Sequence, residues 1–342
     1  MVDGYNRTID YIRISVTERC NLRCTYCMPS EGVEWVEHNE ILTYDEILTI
    51  CNTLAKLGLK KIKLTGGEPL VRKGIATLIT SLKNIKGIKE VTLTTNGVLL
   101  DSQIDDLVGA GLDAVNISLD TMDTQLYREI TRFDKLDTVV ESIKKACSYP
   151  NLKVKVNCVP VGSDRQNIVE LVKLARDYNL SVRFIEMMPI GLGKEYEYIS
   201  EERLKSDIEE VYGKLTPYNK PMGNGPAHYY ELDGFKGKLG FISAISHKYC
   251  DSCNRVRLTA TGYLKTCLQY ETGCDLKQYL RTEIKGNKAD EDNRAKNKYI
   301  VQTEELEEAI KKAIFEKPKE HSFSNKEMQD NKSKAIMSQI GG

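Results

Sequence analysis

Short extended segments alternate with helical stretches through residues 11–186, and this alternation constrains the fold more than any other feature of the chain. Apolar and β-branched runs predict strands at 11–17, 61–65, 90–94, 114–119, 153–159 and 181–186. The intervening patterns predict helices that include 44–57, 75–84, 102–110, 136–148 and 167–178. Strict alternation of strand and helix predicts an α/β fold with a parallel sheet or barrel covered by helices.

Each predicted strand carries apolar side chains on one face and polar or basic side chains on the other. Ile12 and Ile14, for example, flank Arg13. Because helices cover the outside of such a barrel, the apolar face points outward and the polar face points into the lumen. A closed eight-stranded barrel fills its interior with apolar side chains. We therefore expect an incomplete, TIM-like (β/α)6 barrel with a wet, cationic lumen; an amphipathic sheet with one face in solvent is the alternative.

Three cysteines, Cys20, Cys24 and Cys27, lie in one short segment after the first predicted strand. Four thiolates would complete a structural zinc site or close an iron–sulfur cluster. Three thiolates on a [4Fe–4S] cube leave one iron available to a small molecule, which favours chemistry at the cluster over electron storage alone. Half of a zinc site completed from elsewhere is the alternative, although zinc usually takes CxxC pairs.

A second group of cysteines lies beyond residue 215. Segments at 228–232, 240–244, 255–260 and 263–267 are punctuated by glycine and predict antiparallel strands. Among them Cys250, Cys253 and Cys267 again supply three thiolates, and Cys274 could supply a fourth, so a four-cysteine zinc site stays open. We predict a barrel at 1–215 and a C-terminal, antiparallel β-containing cluster domain at 216–342.

Basic side chains in and near the predicted lumen indicate a polyphosphate ligand. Arg255 and Arg257 alternate along one predicted strand directly after Cys253, so their guanidinium groups share a face. Guanidinium groups match phosphate oxygens bidentately. Solvated surface arginines are the alternative. The basic residues predicted inside the lumen are Arg13, Lys63, Lys155 and Arg183.

Bulk composition argues against several classes of function. The 49 basic and 49 acidic side chains give zero formal net charge, so no global field indicates nucleic acid or a membrane surface. No apolar run approaches the roughly 20 residues of a membrane span. Residues 1–10 contain polar side chains throughout, so we expect no secretory signal. We expect reduced thiols in the cytoplasm, with Cys51, Cys147 and Cys158 as packing residues.

The first cysteine run resembles the signature of the radical S-adenosylmethionine (SAM) enzymes, with Tyr26 in the aromatic position before the last cysteine. A Gly-Gly-Glu-Pro run at 66–69 ends the second predicted strand, at the carboxyl end where barrel enzymes build their active sites. Its glycines let the backbone pass close to a ligand. The resemblance implies that this run holds the amino group of SAM.

Both cysteine groups, together with Asn-Arg-Val-Arg at 254–257, resemble the GTP 3′,8-cyclase family of molybdenum cofactor biosynthesis over nearly the whole chain. The resemblance implies that a first [4Fe–4S] cluster binds and cleaves SAM. The resulting radical removes hydrogen from C3′ of GTP, which then closes onto C8, while the open iron of a second [4Fe–4S] cluster binds the guanine base. It also implies a low-potential electron donor, a homodimer, and a downstream cyclic pyranopterin monophosphate synthase as a functional partner.

The resemblance carries site residues over position by position. The cluster ligands would be Cys20, Cys24, Cys27, Cys250, Cys253 and Cys267. The SAM contacts would be Tyr26, Gly67, Ser118 and Met188. The GTP contacts would be Arg13, Lys63, Thr94, Lys155, Arg255, Val256 and Arg257. The catalytic residues would be Arg183 in the lumen and Gly341 and Gly342, a tail that reaches the active site for productive SAM cleavage.

Two stretches depart from the family pattern. Lys63 stands where the family usually has arginine, which keeps the charge but loses bidentate geometry. Residues 285–299 are strongly charged, so we expect an insertion or a poorly ordered loop before a helix at 304–315. Two other functions stay open: a radical SAM peptide-modifying enzyme, which tends to have more auxiliary cysteines, and a non-enzymatic zinc or electron-carrying protein.

Overall fold

The computed structural model describes residues 1–34, 36–197, 199–220, 222–283, 299–323 and 339–340. Its first part alternates strands and helices, as predicted. The strands are β1 (Tyr11–Ser15), β2 (Lys61–Thr65), β3 (Glu90–Thr95), β4 (Ala114–Ser118), β5 (Lys153–Cys158) and β6 (Ser181–Ile185). The helices are α1 (Tyr44–Lys56), α2 (Ile75–Lys83), α3 (Leu100–Gly109), α4 (Thr124–Thr131), α5 (Leu136–Cys147), α6 (Ile168–Asp177) and α7 (Glu201–Tyr212).

Strands β1 to β6 pair in chain order, and every neighbouring pair is parallel. This arrangement confirms the predicted α/β fold with an incomplete (β/α)6 barrel.

Helices α4 and α7 lie outside the predicted set. In α4 only the side chains of Leu126, Tyr127, Ile130 and Thr131 are buried, so its apolar stripe is short, and its start depends on the Asp123 carboxylate, which accepts from the Leu126 backbone N–H at 2.6 Å.

The C-terminal strands join the same sheet at both of its edges. They are β7 (Thr216–Tyr218), β8 (His228–Glu231), β9 (Lys238–Ile242), β10 (Arg255–Leu258), β11 (Tyr263–Lys265) and β12 (Gly273–Asp275). Their pairings with one another are antiparallel, as predicted. Strand β9, however, runs parallel to β6, and β10 runs parallel to β1. The expectation of purely antiparallel pairing was wrong for these two strands, because they extend the barrel wall.

The remaining α-helices and strands of the described ranges are α8 (Lys277–Leu280), β13 (Thr282–Glu283), β14 (Tyr299–Ile300) and α9 (Thr303–Phe315). Helix α9 agrees with the helix predicted at 304–315. The charged stretch predicted as a loop at 285–299 lies outside the described residues except for its last position. The predicted division at residues 215 and 216 falls between α7 and β7, and the sheet continues across it, so the division stays a prediction.

The two faces of the barrel strands differ in chemistry, as predicted. Ile12, Ile14 and Val156 are fully buried within one apolar cluster between sheet and helices. On β6 and β9 the rings of Phe184 and Phe241 stack at 5.7 Å within the same layer, which fastens the added strand to the barrel. The basic and hydroxyl side chains point to the other side. Cys51 and Cys158 are buried in the apolar cluster and Cys147 packs at its edge, which confirms their packing role.

None of the helices in the described ranges combines the length and the apolarity that a bilayer crossing requires.

Candidate active site

A short loop after β1 carries the first three cysteines. The Cys24 carbonyl accepts hydrogen bonds from the backbone N–H groups of Cys27 at 2.9 Å and Met28 at 3.1 Å, which closes a tight turn. The Arg23 guanidinium donates to the Cys20 carbonyl at 2.6 Å, and the Leu22 N–H donates to the Cys20 sulfur at 3.4 Å. The backbone of the loop therefore fixes where the cysteine side chains stand.

All three thiols line one cavity of about 1410 Å³ at the carboxyl ends of the strands. Burial raises the pKa of Cys24 well above its ordinary value, and the neighbouring Cys27 and Asp120 act in the same direction. Three adjacent thiols can all ionise only if positive charge offsets the repulsion between the thiolates. The irons of a cluster would provide that charge. Among the described residues no three His, Cys, Asp or Glu side chains converge as closely as a single metal ion requires. This donor set fits a [4Fe–4S] cube, whose ligands bind separate irons.

The glycine pair after β2 packs against this loop. A Cβ on Gly66 would lie 2.4 Å from the Thr17 carbonyl oxygen, and one on Gly67 would lie 2.4 Å from that of Arg19 and 2.5 Å from that of Glu18. The Gly67 N–H donates to the Thr17 carbonyl at 2.8 Å. The sequence predicted a close approach to a ligand; both glycines line the cavity, but their closest approach is to the backbone of the cysteine loop.

Glu68, the acidic residue of the same run, is fully buried behind the cavity. Its carboxylate accepts from the backbone N–H groups of Leu70 at 3.0 Å and Asn96 at 2.6 Å, and from the Thr95 hydroxyl at 2.8 Å. Burial raises its pKa to about 7, although these hydrogen bonds act in the opposite direction. Glu68 thus ties the segment after β2 to the segment after β3, a role that the sequence did not reveal.

The residues matched to SAM contacts all lie on the wall of the large cavity: Tyr26, Gly67, Ser118 and Met188. The Tyr26 hydroxyl donates to the Asp120 carboxylate at 2.7 Å, and the other oxygen of Asp120 accepts from the Val159 N–H at 2.8 Å. Burial raises the pKa of Asp120 to about 6. Asp120 follows β4 and orients the aromatic residue of the cysteine motif.

The lumen below this cavity is cationic, as predicted. Arg13, Lys63, Lys155 and Arg183 line a space of about 630 Å³ together with one carboxylate, Glu90. Burial and then the nearby Arg183 lower the pKa of Lys155 to about 7 and that of Lys63 well below its ordinary value.

Protein groups contact two of these cations. The Asn157 amide oxygen accepts from Arg183 Nε at 2.9 Å, and the Met222 carbonyl accepts from Lys155 Nζ. The Asn224 amide donates to the Glu90 carboxylate, so the segment around 222–226 covers this end of the lumen. No sequence signal indicated that segment, which connects the paired strands β7 and β8.

Cys250, Cys253 and Cys267 line a third cavity of about 570 Å³. Burial works against ionisation of Cys253, but the nearby charges of Lys317 and Arg255 outweigh it and lower the pKa of this thiol. A cationic environment and three thiols on the wall of one cavity fit a second cluster, whose ligands bind separate irons. Cys274, the candidate fourth ligand, lies in β12, where its thiol donates to the Ala309 carbonyl at 3.7 Å, and it does not line this cavity.

Arg255 lines all three cavities and therefore joins them. Arg257 lines the two that hold cysteines, and its guanidinium donates to the Ile340 carbonyl at 3.2 Å. Thr94 lines the large cavity and the lumen. Val256, between the two arginines, is different: its side chain is buried in the apolar cluster, so any contact with a ligand would involve its backbone. Gly341 and Gly342 lie outside the described residues.

Residues 317–322, which we call the C-terminal strap, cross the third cavity. Arg7 donates to the carbonyls of Cys250 at 2.9 Å, Lys319 at 2.6 Å and Pro318 at 2.6 Å. The His321 N–H donates to the Cys250 sulfur at 3.5 Å. The strap is thereby fastened to the cysteine segment by a residue near the start of the chain.

The His321 ring also belongs to this cavity wall. Burial lowers the pKa of His321 and Lys248 acts in the same direction, whereas the backbone of Ala244 opposes them. Sequence reasoning missed both Arg7 and His321, since neither stands in a recognisable motif.

Known proteins resemble this chain along its whole length. Residues 14–175 match the family model of the radical SAM superfamily, and residues 180–323 match that of Molybdenum Cofactor Synthesis C. A GTP 3′,8-cyclase of Clostridium perfringens strain 13 is 42% identical over 343 residues, covering 100% of both chains. This chain belongs to the GTP 3′,8-cyclase family. A second cyclase, from Desulforamulus reducens, is 41% identical over 347 residues and is also covered completely.

Two solved structures share the fold at a much lower sequence identity to this chain. SuiB of Streptococcus suis bound to the precursor peptide SuiA has a TM-score of 0.57 at 15% identity, over 77% of this chain and 60% of that one. SuiB bound to S-adenosylmethionine has a TM-score of 0.53 at 16% identity, with the same coverage. At these identities the likeness concerns the fold alone.

Replacing Gly67 with alanine should release the first cluster, because the new Cβ would lie 2.4 Å from a backbone oxygen of the cysteine loop. Iron content and cluster EPR after anaerobic reconstitution would measure the effect, and we expect loss of about four irons per chain. Gly109→Ala is the matched control, since Gly109 lies in α3 and a Cβ there would meet nothing within 4 Å. Full iron content in Gly67→Ala would contradict this account of the glycine pair.

Proposed function

We propose that this chain converts GTP to (8S)-3′,8-cyclo-7,8-dihydroguanosine 5′-triphosphate, the first step of molybdenum cofactor biosynthesis. One observation carries the proposal beyond family membership: two three-cysteine sites border cavities that a single residue, Arg255, joins to a cationic lumen. A radical source, a polyphosphate site and a second cluster site are thus within reach of one bound nucleotide.

The first site would hold one [4Fe–4S] cluster and SAM. Together these groups would supply, on one-electron reduction, the carbon radical that removes the C3′ hydrogen of GTP. Cys20, Cys24 and Cys27 would hold the cluster. Tyr26, Gly67, Ser118 and Met188 would contact SAM; they surround the same cavity, which supports this assignment.

The lumen would hold the triphosphate of GTP. In the sheet, Arg13 on β1 pairs in register with Lys63 on β2 and with Arg257 on β10, so three cations line up across adjacent strands. Like charges so placed repel one another, and a triphosphate relieves the repulsion. Lys155 and Arg183 extend the same patch. Thr94 and Arg255 stand between this patch and the cysteine sites, where the ribose would lie.

The third cavity would hold a second [4Fe–4S] cluster on Cys250, Cys253 and Cys267. Because three thiolates leave one iron open, that iron can take the guanine base while the triphosphate lies in the lumen. The positive charges of Lys317, Arg255 and Arg7 near Cys253 suit a cluster that carries net negative charge. The non-enzymatic zinc reading lacks support, since Cys274 bonds elsewhere.

The end of the chain would complete the site. Ile340 is buried, and its carbonyl accepts from Arg257, which supports a tail that enters the active site. Gly341 and Gly342 follow directly and would reach the reacting groups. Arg183 would act in the lumen as a further cationic catalytic residue.

The reaction implies partners that the chain itself does not contain. A low-potential electron donor would reduce the first cluster, and a cyclic pyranopterin monophosphate synthase would consume the product. We also propose a homodimer. The proposed location is the cytoplasm, where a reducing environment prevents disulfide formation, and none of the ten cysteines, all of which lie in the described ranges, forms a disulfide.

Release of 5′-deoxyadenosine tests the proposal directly. Anaerobically reconstituted protein with SAM and a strong reductant should release it faster with GTP than with ATP, CTP or UTP, and the product should retain the triphosphate and carry a new C3′–C8 bond. Cys27→Ala should abolish release in every case, because the first cluster is lost, whereas Cys274→Ala is the matched control. Release without preference for GTP would reject the substrate.

Binding of GTP should weaken as the pH rises through about 7, because Lys155 loses its charge there. Deprotonation of the γ-phosphate strengthens GTP binding over the same pH range. Comparing the unmodified protein with Lys155→Met therefore isolates the contribution of the lysine to the pH dependence. That variant should bind more weakly, by about tenfold or less, and should lack this component of the pH profile. Lys86→Met, at an exposed position between α2 and β3, is the control. Equal pH profiles for Lys155→Met and the unmodified protein would remove Lys155 from the site.

Deleting Gly341 and Gly342 should leave about eight irons bound per chain but stop product formation, since neither glycine belongs to a cluster site. Iron content, GTP affinity and cyclised product would be measured on the same preparation. A truncated protein with full turnover would remove the tail from the mechanism.

A further inference from the structure

One side chain of the C-terminal strap has no role in the assignments above. His321 is 7% exposed, and its ring lines the same cavity as Cys250, Cys253 and Cys267. Neither ring nitrogen has a hydrogen bond of normal geometry within the described residues. A buried polar group without a partner costs free energy. The backbone of Ala244 favours the charged ring but makes no hydrogen bond of normal geometry with it, so the cavity is where a partner of the imidazole would lie.

The strap holds this ring in one place. The backbone N–H of His321 donates to the Cys250 sulfur at 3.5 Å, and the ring packs on Phe323 with centroids 4.4 Å apart. The next residue, Ser322, donates through its N–H to the Gln269 side chain at 2.6 Å. Since Gln269 lies two positions after Cys267, the strap is anchored beside two of the three cysteines.

The geometry points to His321 as a hydrogen-bond donor to a sulfur of the second [4Fe–4S] cluster, an inference that rests on the second cluster proposed above. A cluster at the three cysteines would bring sulfur atoms to the cavity wall that the ring shares. Hydrogen bonds to cluster sulfur stabilise the more negative, reduced form and so raise the reduction potential. His321 is a positioning residue in this role, and the iron that three thiolates leave open stays available to the substrate.

Redox titration followed by EPR measures this contribution, with the first cluster as an internal reference. The variant His321→Phe keeps a ring against Phe323. In it, the ratio of reduced to oxidised second cluster at a fixed potential should fall about tenfold, which corresponds to a reduction potential lower by 59 mV for one electron. The first cluster should not change. His321→Gln, whose amide can donate, should recover part of the shift. His228→Phe, at an exposed position of β8, is the matched control.

The redox titration and pulsed EPR together decide whether His321 donates to the second cluster. An unchanged potential in His321→Phe with full iron content would overturn the inference. If that variant loses iron, pulsed EPR of the unmodified protein with ¹⁵N-labelled histidine decides instead: weak nitrogen coupling with an exchangeable proton supports a hydrogen bond. Strong coupling, as from a histidine that ligates iron in Rieske centres, or no coupling, would overturn it. An unmodified protein that binds only about four irons would overturn the second cluster itself.

Discussion

Repulsion among buried and half-buried cations is the constraint on which the rest of this structure depends. Arg257, Arg13 and Lys63 stand side by side on three adjacent strands, about 5 Å apart in the direction of the sheet's hydrogen bonds. Lys155 and Arg183 join them from β5 and β6. Such a group destabilises a folded chain unless its repulsion is offset elsewhere, and burial already lowers the pKa of Lys63 and Lys155. The barrel must therefore obtain its stability from its other face.

The outer face provides that stability. Its apolar side chains form one continuous layer under the helices, and the added strands β9 and β10 lengthen the layer at both edges. Gly240 on β9 illustrates how the two faces are coupled, since a Cβ there would lie 3.0 Å from Cγ of Arg183. The absence of a side chain at that position lets the arginine fit inside the wall. Stability and ligand binding thus use opposite sides of the same strands.

Much of this could be predicted from the sequence because the signals are local. The alternation of Ile12, Arg13 and Ile14 identifies both faces of β1, and the spacing of the cysteines identifies the two groups of thiols that line the cavities. The parallel pairing of β9 and β10 with the barrel could not be predicted, because strand direction there depends on contacts between residues far apart in the chain. Glu68 and Asp120 were missed for a related reason: a buried carboxylate looks like any other until its partners from other strands are known.

The contacts of Arg7 have a consequence for how the protein is made. Its guanidinium bonds to Lys319, 312 positions later, and to Cys250. At ~5–20 residues per second the ribosome adds Lys319 on the order of tens of seconds after Arg7. The first cysteine loop and its glycine pair, in contrast, leave the ribosome within a few seconds of each other. The first group of cysteines can therefore reach its folded arrangement while synthesis continues, whereas the group that contains Cys250 waits for both ends of the polypeptide to meet. A chain whose synthesis stops early therefore lacks the C-terminal strap that crosses these thiols.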